Sequence, residues 1–110
     1  MIHNLSQQNS VFNLFLTEIR DIEIQKDSMR FRRNLERMGE IFAYEISKTL
    51  SYEALKTTTP LGEADGKILL AQPVIATILR AGLPLHLGLL NYFDRAQNAF
   101  VSAYRRHRKN

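Results

Sequence analysis

The sequence predicts an α/β fold: two N-terminal helices, a β-hairpin, and a βαβ unit of a parallel sheet. Three observations predict it. Apolar side chains recur at three- and four-residue spacing in two successive segments between residues 11 and 49. Residues 52–71 are rich in β-branched and alternating side chains and are punctuated by Pro60, Gly62 and Asp65-Gly66. Residues 74–104 then read strand, helix, strand, about the 30 residues that a βαβ unit occupies. The length of 110 residues suits one domain, so residues 1–110 are read as a single unit, with no internal repeat or linker.

The first helix is carried by "NSVFNLFLTEIR", where Phe12, Phe15, Leu16 and Ile19 share one face and Asn9 or Ser10 can cap the amino end. The second follows from "DSMRFRRNLERMGEIFAYEISKTL". Asp27 or Ser28 can cap it, and Phe31, Leu35, Met38, Phe42, Ile46 and Thr49 trace the buried stripe. Arg32, Arg33, Glu36, Arg37 and Glu40 crowd the opposite side. They read as a solvated face laced by i,i+3 and i,i+4 pairs, with a phosphate on the arginines as the alternative. Gly39 costs about 1 kcal/mol against alanine inside a helix, and close helix packing is the usual compensation. The hairpin is expected to have strands near Tyr52–Thr58 and Lys67–Ala71, closed by Pro73.

"VIATIL" is almost continuously apolar, as a strand covered on both faces of a parallel sheet would be. "GLPLHLGLLNYF" reads as a short helix with Pro84 in its first turn and Leu83, Leu87, Leu90 and Phe93 on one face. His86 on that helix reads as a half-buried packing residue rather than a catalyst. "NAFVSAY" alternates and reads as the second strand, and the crossover should be right-handed.

Arg80 stands at the carboxyl end of the first strand of this unit and Arg105 at the carboxyl end of the second. In a parallel pair these ends share one edge, and adjacent strands lie only about 4.8 Å apart, so two guanidinium groups can converge there. That edge is where open α/β sheets bind ligands. A helix beginning near Leu83 adds backbone N–H groups and the positive end of its dipole, and Gly82 permits close backbone approach. Arg80, Ala81, Gly82 and Arg105 therefore form a candidate phosphate or pyrophosphate site, since guanidinium–phosphate pairs are strong and bidentate. Equally open at this point is a plain structural role, with Arg80 paired to a carboxylate such as Asp94 and Arg105 starting a solvated tail. "RAG" alone is a weak motif, and there is no full glycine-rich P-loop.

Composition narrows the function classes. No cysteine is present, which excludes disulfide scaffolds and thiolate metal sites, and the three histidines show no metal-ligand spacing. No apolar run approaches the roughly 18 residues of a membrane span, and "MIHNLSQQNS" lacks an apolar signal core, so a soluble cytoplasmic protein is expected. The net charge of +4 lies wholly in the final "RRHRKN", because residues 1–104 carry equal numbers of acidic and basic side chains. A nucleic-acid partner is therefore not expected; a small basic RNA-binding protein using the terminal arginines is the last-ranked reading.

At this point the sequence resembles the uracil phosphoribosyltransferases. "VIATILRAGLPLHLGLLNYF" is similar to the segment that follows the hairpin in that family, with its Ile-Leu-Arg-Ala-Gly-Leu core. "FVSAYR" resembles the next strand, whose terminal Tyr-Arg also binds the phosphoribosyl donor. "FRRNLERMGEIFAYEISKTL" resembles the long helix with its Phe-Arg start. The likeness covers nearly the whole chain in order. It implies a type I phosphoribosyltransferase-like fold and the joining of uracil to 5-phosphoribosyl 1-pyrophosphate, giving UMP and pyrophosphate, with Mg²⁺ assisting. It also implies that Arg80, Ala81, Gly82 and Arg105 contact the donor, the two arginines stabilising charge on the departing pyrophosphate. The hairpin around Pro60–Lys67 resembles an arm that helps subunits pair, so a homo-oligomer, in the first instance a dimer, is expected.

The chain also departs from the family. It lacks the acidic, Thr- and Gly-rich loop that grips the ribose 5-phosphate and the C-terminal segment that recognises uracil, and "RRHRKN" follows the Tyr-Arg. The expectation is an N-terminal portion of the enzyme, truncated and inactive alone, either oligomeric or cut from a longer protein. The rival is a non-catalytic dimerisation or binding module derived from the same fold.

Overall fold

The computed structural model describes residues 2–103. Helix α1 spans Val11–Arg20, α2 Ser28–Ser47 and α3 Leu83–Tyr92; the strands are β1 Tyr52–Thr59, β2 Gly62–Leu69, β3 Val74–Leu79 and β4 Gln97–Ser102. Short 3₁₀ turns at Leu5–Gln7 and Ile24–Lys26 flank α1. The caps are local chemistry. The Ser10 hydroxyl accepts from the Phe12 amide at 3.2 Å, and the Asp27 carboxylate accepts from the Arg30 amide at 3.1 Å.

The body is layered: α1 packs on α2, α2 on α3, and α3 on the parallel pair β3–β4. Phe12 meets Phe42 edge-on, with ring centroids 5.3 Å apart, which joins α1 to the buried stripe of α2. Ala43, Ile75, Phe93 and Ala96 form the buried centre, flanked by Leu50, Leu69, Leu89 and Leu90. The stripe expected on α2 holds through Phe42 but not to its end, because Ile46 and Thr49 are exposed. The reason is a second buried line, Gly39 and Ala43, which α2 turns toward α3. At the crossing a β-carbon on Gly39 would strike the Leu85 carbonyl, and one on Gly88 would lie 2.9 Å from both Glu40 N and Gly39 Cα. The two glycines thus let the helix backbones touch, the compensation expected for Gly39.

α3 corrects its own expectation. Of the four residues expected on one face, Phe93 is buried and Leu90 packs against the core, but Leu83 and Leu87 are exposed, and His86 and Gly88 are buried instead. A helix with leucines on every side gives no clear period, so the Gly88 crossing and the sheet, rather than leucine spacing, decide which side faces in.

The hairpin pairs Thr59 with Gly62 at its tip and Tyr52 with Leu69 at its base. The strands therefore differ from expectation: β2 starts at Gly62, and Asp65-Gly66 lies mid-strand opposite Lys56 and Leu55. Pro60 follows Thr59 in the turn. Its fixed φ forbids the positive-φ first position of the usual two-residue hairpin turns, and the positive φ falls instead on Gly62, at 124°. The arm is exposed along nearly its full length, and Leu61 at the tip is 100% exposed. With this arm extended, the described residues measure 69 × 33 × 30 Å and have a radius of gyration of 18.2 Å, against about 13 Å for a compact 100-residue domain.

β3 is not covered on both faces. Ile75 and Thr77 are buried against α3, but Val74 and Ile78 are 64% and 63% exposed, and Val101 of β4 joins them at 55%. Only the α3 side of this two-stranded sheet has a covering layer among the described residues. No helix among them is long and apolar enough to cross a membrane.

Candidate functional site

The parallel pairing of β3 with β4 runs from Val74↔Gln97 to Leu79↔Ser102, so the carboxyl ends of both strands reach the same edge. The two strands are neighbours, as the clamp reading requires. Beyond Leu79 the chain turns through Arg80, Ala81 and Gly82 into α3; the Leu79–Arg80 peptide is cis. Arg80 and Ala81 are exposed and Gly82 is half-buried. Leu79, Arg80, Ser102 and Ala103 line an open hollow of about 320 Å³ at this edge. Arg105, two residues past Ala103, lies outside the described residues.

Gly82 has a negative φ of −77°, so its need is for space rather than for a left-handed turn. A β-carbon there would sit 2.8 Å from Thr77 Cγ2 and 2.9 Å from the Ile78 carbonyl oxygen. The close approach that glycine permits is to the protein's own strand. The turn is fastened by Gly82 N–H to the Ile78 carbonyl at 3.3 Å and Leu83 N–H to the Arg80 carbonyl at 3.1 Å. Since Pro84 has no N–H, the first turn of α3 presents fewer free amides than an ordinary helix start. Among the described residues, the exposed guanidinium is then the main cationic feature of the edge.

The alternative partner for Arg80 fails on topology. Asp94 precedes β4, whose first residue pairs with Val74 at the amino edge of the sheet, whereas Arg80 follows β3 at the carboxyl edge. Among the described residues neither makes an ion pair.

The arginine-rich face of α2 is only partly a solvated surface. Arg33 pairs with Glu36 at 3.6 Å, but Glu36 also accepts from Asn91 of α3 at 3.2 Å. Arg37 lies over the Phe15 ring at 5.5 Å and donates to Asn34 at 3.1 Å. Asn34 is fully buried and donates to Glu18 of α1 at 3.3 Å, and Glu18 in turn meets Arg30 at 3.5 Å. These side chains tie α2 to its neighbours. Asn34 escaped sequence reasoning; its only signal was an uncharged amide within a run of charges.

His86 is more deeply placed than half-buried. It is 2% exposed, its Nδ1 is 2.5 Å from Thr77 Oγ1, its Nε2 is 2.7 Å from Asn98 Oδ1, and its ring lies on Phe100 with centroids 5.0 Å apart. It packs between α3 and both strands of the parallel pair, deeper than the half-buried position expected. Thr77, the sole hydroxyl in "VIATIL", was the signal for its partner.

Among the described residues no three His, Cys, Asp or Glu side chains are grouped as a metal site, and the Arg80 edge carries no carboxylate. Mg²⁺ favours carboxylate and phosphate oxygens, so these residues alone do not hold the ion that the family resemblance implies.

In class, this is an α/β protein with a parallel strand–turn–helix–strand unit and a projecting hairpin, and the same fold occurs in the AQ2163 protein from Aquifex aeolicus. The two superpose with a TM-score of 0.75 at 24% identity, over 91% of this chain and 47% of that one. The family follows from sequence comparison. The uracil phosphoribosyltransferase family model matches residues 6–110. A uracil phosphoribosyltransferase of Porphyromonas gingivalis is 55% identical over 108 residues, 98% of this chain and 50% of the relative. One from Pyrococcus furiosus is 42% identical over 92 residues, 82% of this chain and 39% of the relative. The chain belongs to the uracil phosphoribosyltransferase family, and its architecture is the phosphoribosyltransferase-like one expected. It spans about half the length of the curated relatives it matches.

Proposed function

We propose that this chain supplies the pyrophosphate-binding part of a cytoplasmic uracil phosphoribosyltransferase, which joins uracil to 5-phosphoribosyl 1-pyrophosphate. The observation that carries the reading is Arg80, exposed at the carboxyl edge of β3 beside the end of β4 and without an ion pair among the described residues. An exposed guanidinium on a ligand-binding edge suits a diphosphate, and Arg105 follows β4 in sequence. In the reaction the bond from the ribosyl carbon to pyrophosphate breaks, its electron pair leaving with pyrophosphate, as the bond to the uracil nitrogen forms and that nitrogen gives up its proton to the medium. Cations at the diphosphate stabilise the charge it carries away.

In the complete enzyme Arg80→Ala should lower donor-dependent turnover by about 10²-fold or more, the scale for loss of one charge stabiliser. Unchanged turnover would remove Arg80 from the site. The 110-residue chain alone should form no measurable UMP from uracil and the donor; observed turnover would overturn that part of the proposal.

A second reading, a dimerisation module, draws on the exposed arm. Tyr52, Leu55 and Ile68 are all more than 40% exposed along it, and Leu61 caps it. Sedimentation should then report a dimer that Leu61→Asp weakens, and a monomer at micromolar concentration would refute it.

A further inference from the structure

We infer that His86 is a positioning residue for the Arg80 turn, acting through Thr77; the inference rests on the reading of Arg80 as a pyrophosphate ligand. Asn98 Oδ1 faces Nε2 across 2.7 Å, an arrangement that suits the tautomer with its proton on Nε2, donated to Asn98. In that tautomer Nδ1 is an acceptor, and the Thr77 hydroxyl donates to it. One ring on α3 thereby holds β3 through Thr77 and β4 through Asn98, the two strands whose carboxyl ends form the candidate site.

Thr77 carries the effect outward. Its hydroxyl is turned to His86, and its methyl faces Gly82, where an added β-carbon would come within 2.8 Å. The rotamer that satisfies the imidazole thus presents the surface on which the Arg80–Gly82 turn rests. Losing the hydroxyl contact frees Thr77 to rotate and withdraws that support. A guanidinium placed by a short turn needs its base fixed, because misplacement on the ångström scale is enough to impair a charge clamp. His86 does not touch the hollow itself; Leu79, Arg80, Ser102 and Ala103 line it.

The test measures inorganic pyrophosphate binding to the full chain by calorimetry, well below the unfolding temperature. Four variants are compared with the wild type. Thr77→Val keeps the methyl contact and removes the hydroxyl; His86→Phe keeps the ring and its stacking on Phe100 but removes both hydrogen bonds. Arg80→Ala tests the underlying reading, and Asn34→Ala is a destabilised control remote from the edge. Support requires that wild type binds, Arg80→Ala abolishes binding, Thr77→Val and His86→Phe each weaken it about tenfold, and Asn34→Ala leaves it unchanged. Nitrogen NMR should also find the His86 proton on Nε2. If Arg80→Ala abolishes binding while Thr77→Val and His86→Phe bind like wild type, the positioning role is overturned and the Arg80 reading survives. If Asn34→Ala weakens binding as much as they do, general destabilisation replaces positioning. If wild type fails to bind, or Arg80→Ala binds equally well, the Arg80 reading falls and the inference falls with it.

Discussion

Gly88→Ala sets two physical rules against each other. Helix propensity alone makes the variant more stable by about 1 kcal/mol, because alanine replaces glycine inside α3. The crossing with α2 says the reverse. The new methyl would lie 2.9 Å from Glu40 N and from Gly39 Cα, and nearer still to the Glu36 carbonyl oxygen. All three are backbone atoms of α2, so no side chain can rotate away; the helices must separate. Overpacking of this kind costs about 1–3 kcal/mol when side chains give way, and a backbone contact belongs at or above the upper end. A separation of half an ångström or more also forfeits about a quarter or more of each dispersion contact along the interface. Set against the propensity gain, a net loss of about 2 kcal/mol is expected. For a domain of this size that is a fall of roughly 10 °C in melting temperature. Urea and thermal denaturation followed by circular dichroism measure it, and the urea slope should stay constant. Gly39→Ala should behave alike, and the double variant should lose less than the sum, since the first methyl already opens the crossing. A Gly88→Ala protein as stable as wild type, or more so, would refute the reasoning.

Three further outcomes are expected. Asn34→Ala strips the α1–α2 amide link and should cost about 1–3 kcal/mol in denaturant unfolding, a large value for a polar residue in a charged helix. Gly62→Ala meets no atom within 4 Å but must hold a φ of 124°, so it should cost about 1–3 kcal/mol through backbone strain alone, read from the same unfolding curves. Ile78→Lys, on the uncovered sheet face, should leave monomer stability within about 0.5 kcal/mol and reduce self-association in light scattering.

Much of the fold was legible because its signals are local. Asp27 and Ser10 announce helix starts through a side-chain oxygen that reaches an amide two or three residues on, and that geometry needs no partner from elsewhere. The strand, helix, strand order of residues 74–104 likewise implies a parallel pair, because a short helix returns the chain to the same sheet direction. Arg80, Ala81 and Gly82 were found by that logic as the residues at a strand's carboxyl end. The hairpin register was misread because Asp65-Gly66 is a good turn dipeptide in isolation. Which of two turns forms depends on the pairing of the whole ladder, and the Pro60 turn aligns all eight partner positions from Tyr52↔Leu69 to Thr59↔Gly62.

By itself, then, the sequence determined the element order, the helix caps, the family resemblance and the placement of a cation at the end of β3, all consequences of chemistry within a few residues. Tertiary structure alone decided which faces are buried. It turned Gly39 and Gly88 toward each other, enclosed Asn34 between α1 and α2, and gave His86 its two partners on separate strands. It also left Val74, Ile78 and Val101 uncovered, although their apolar run reads as core. Burial is a property of what packs against a face, and periodicity within one segment carries no record of its partner.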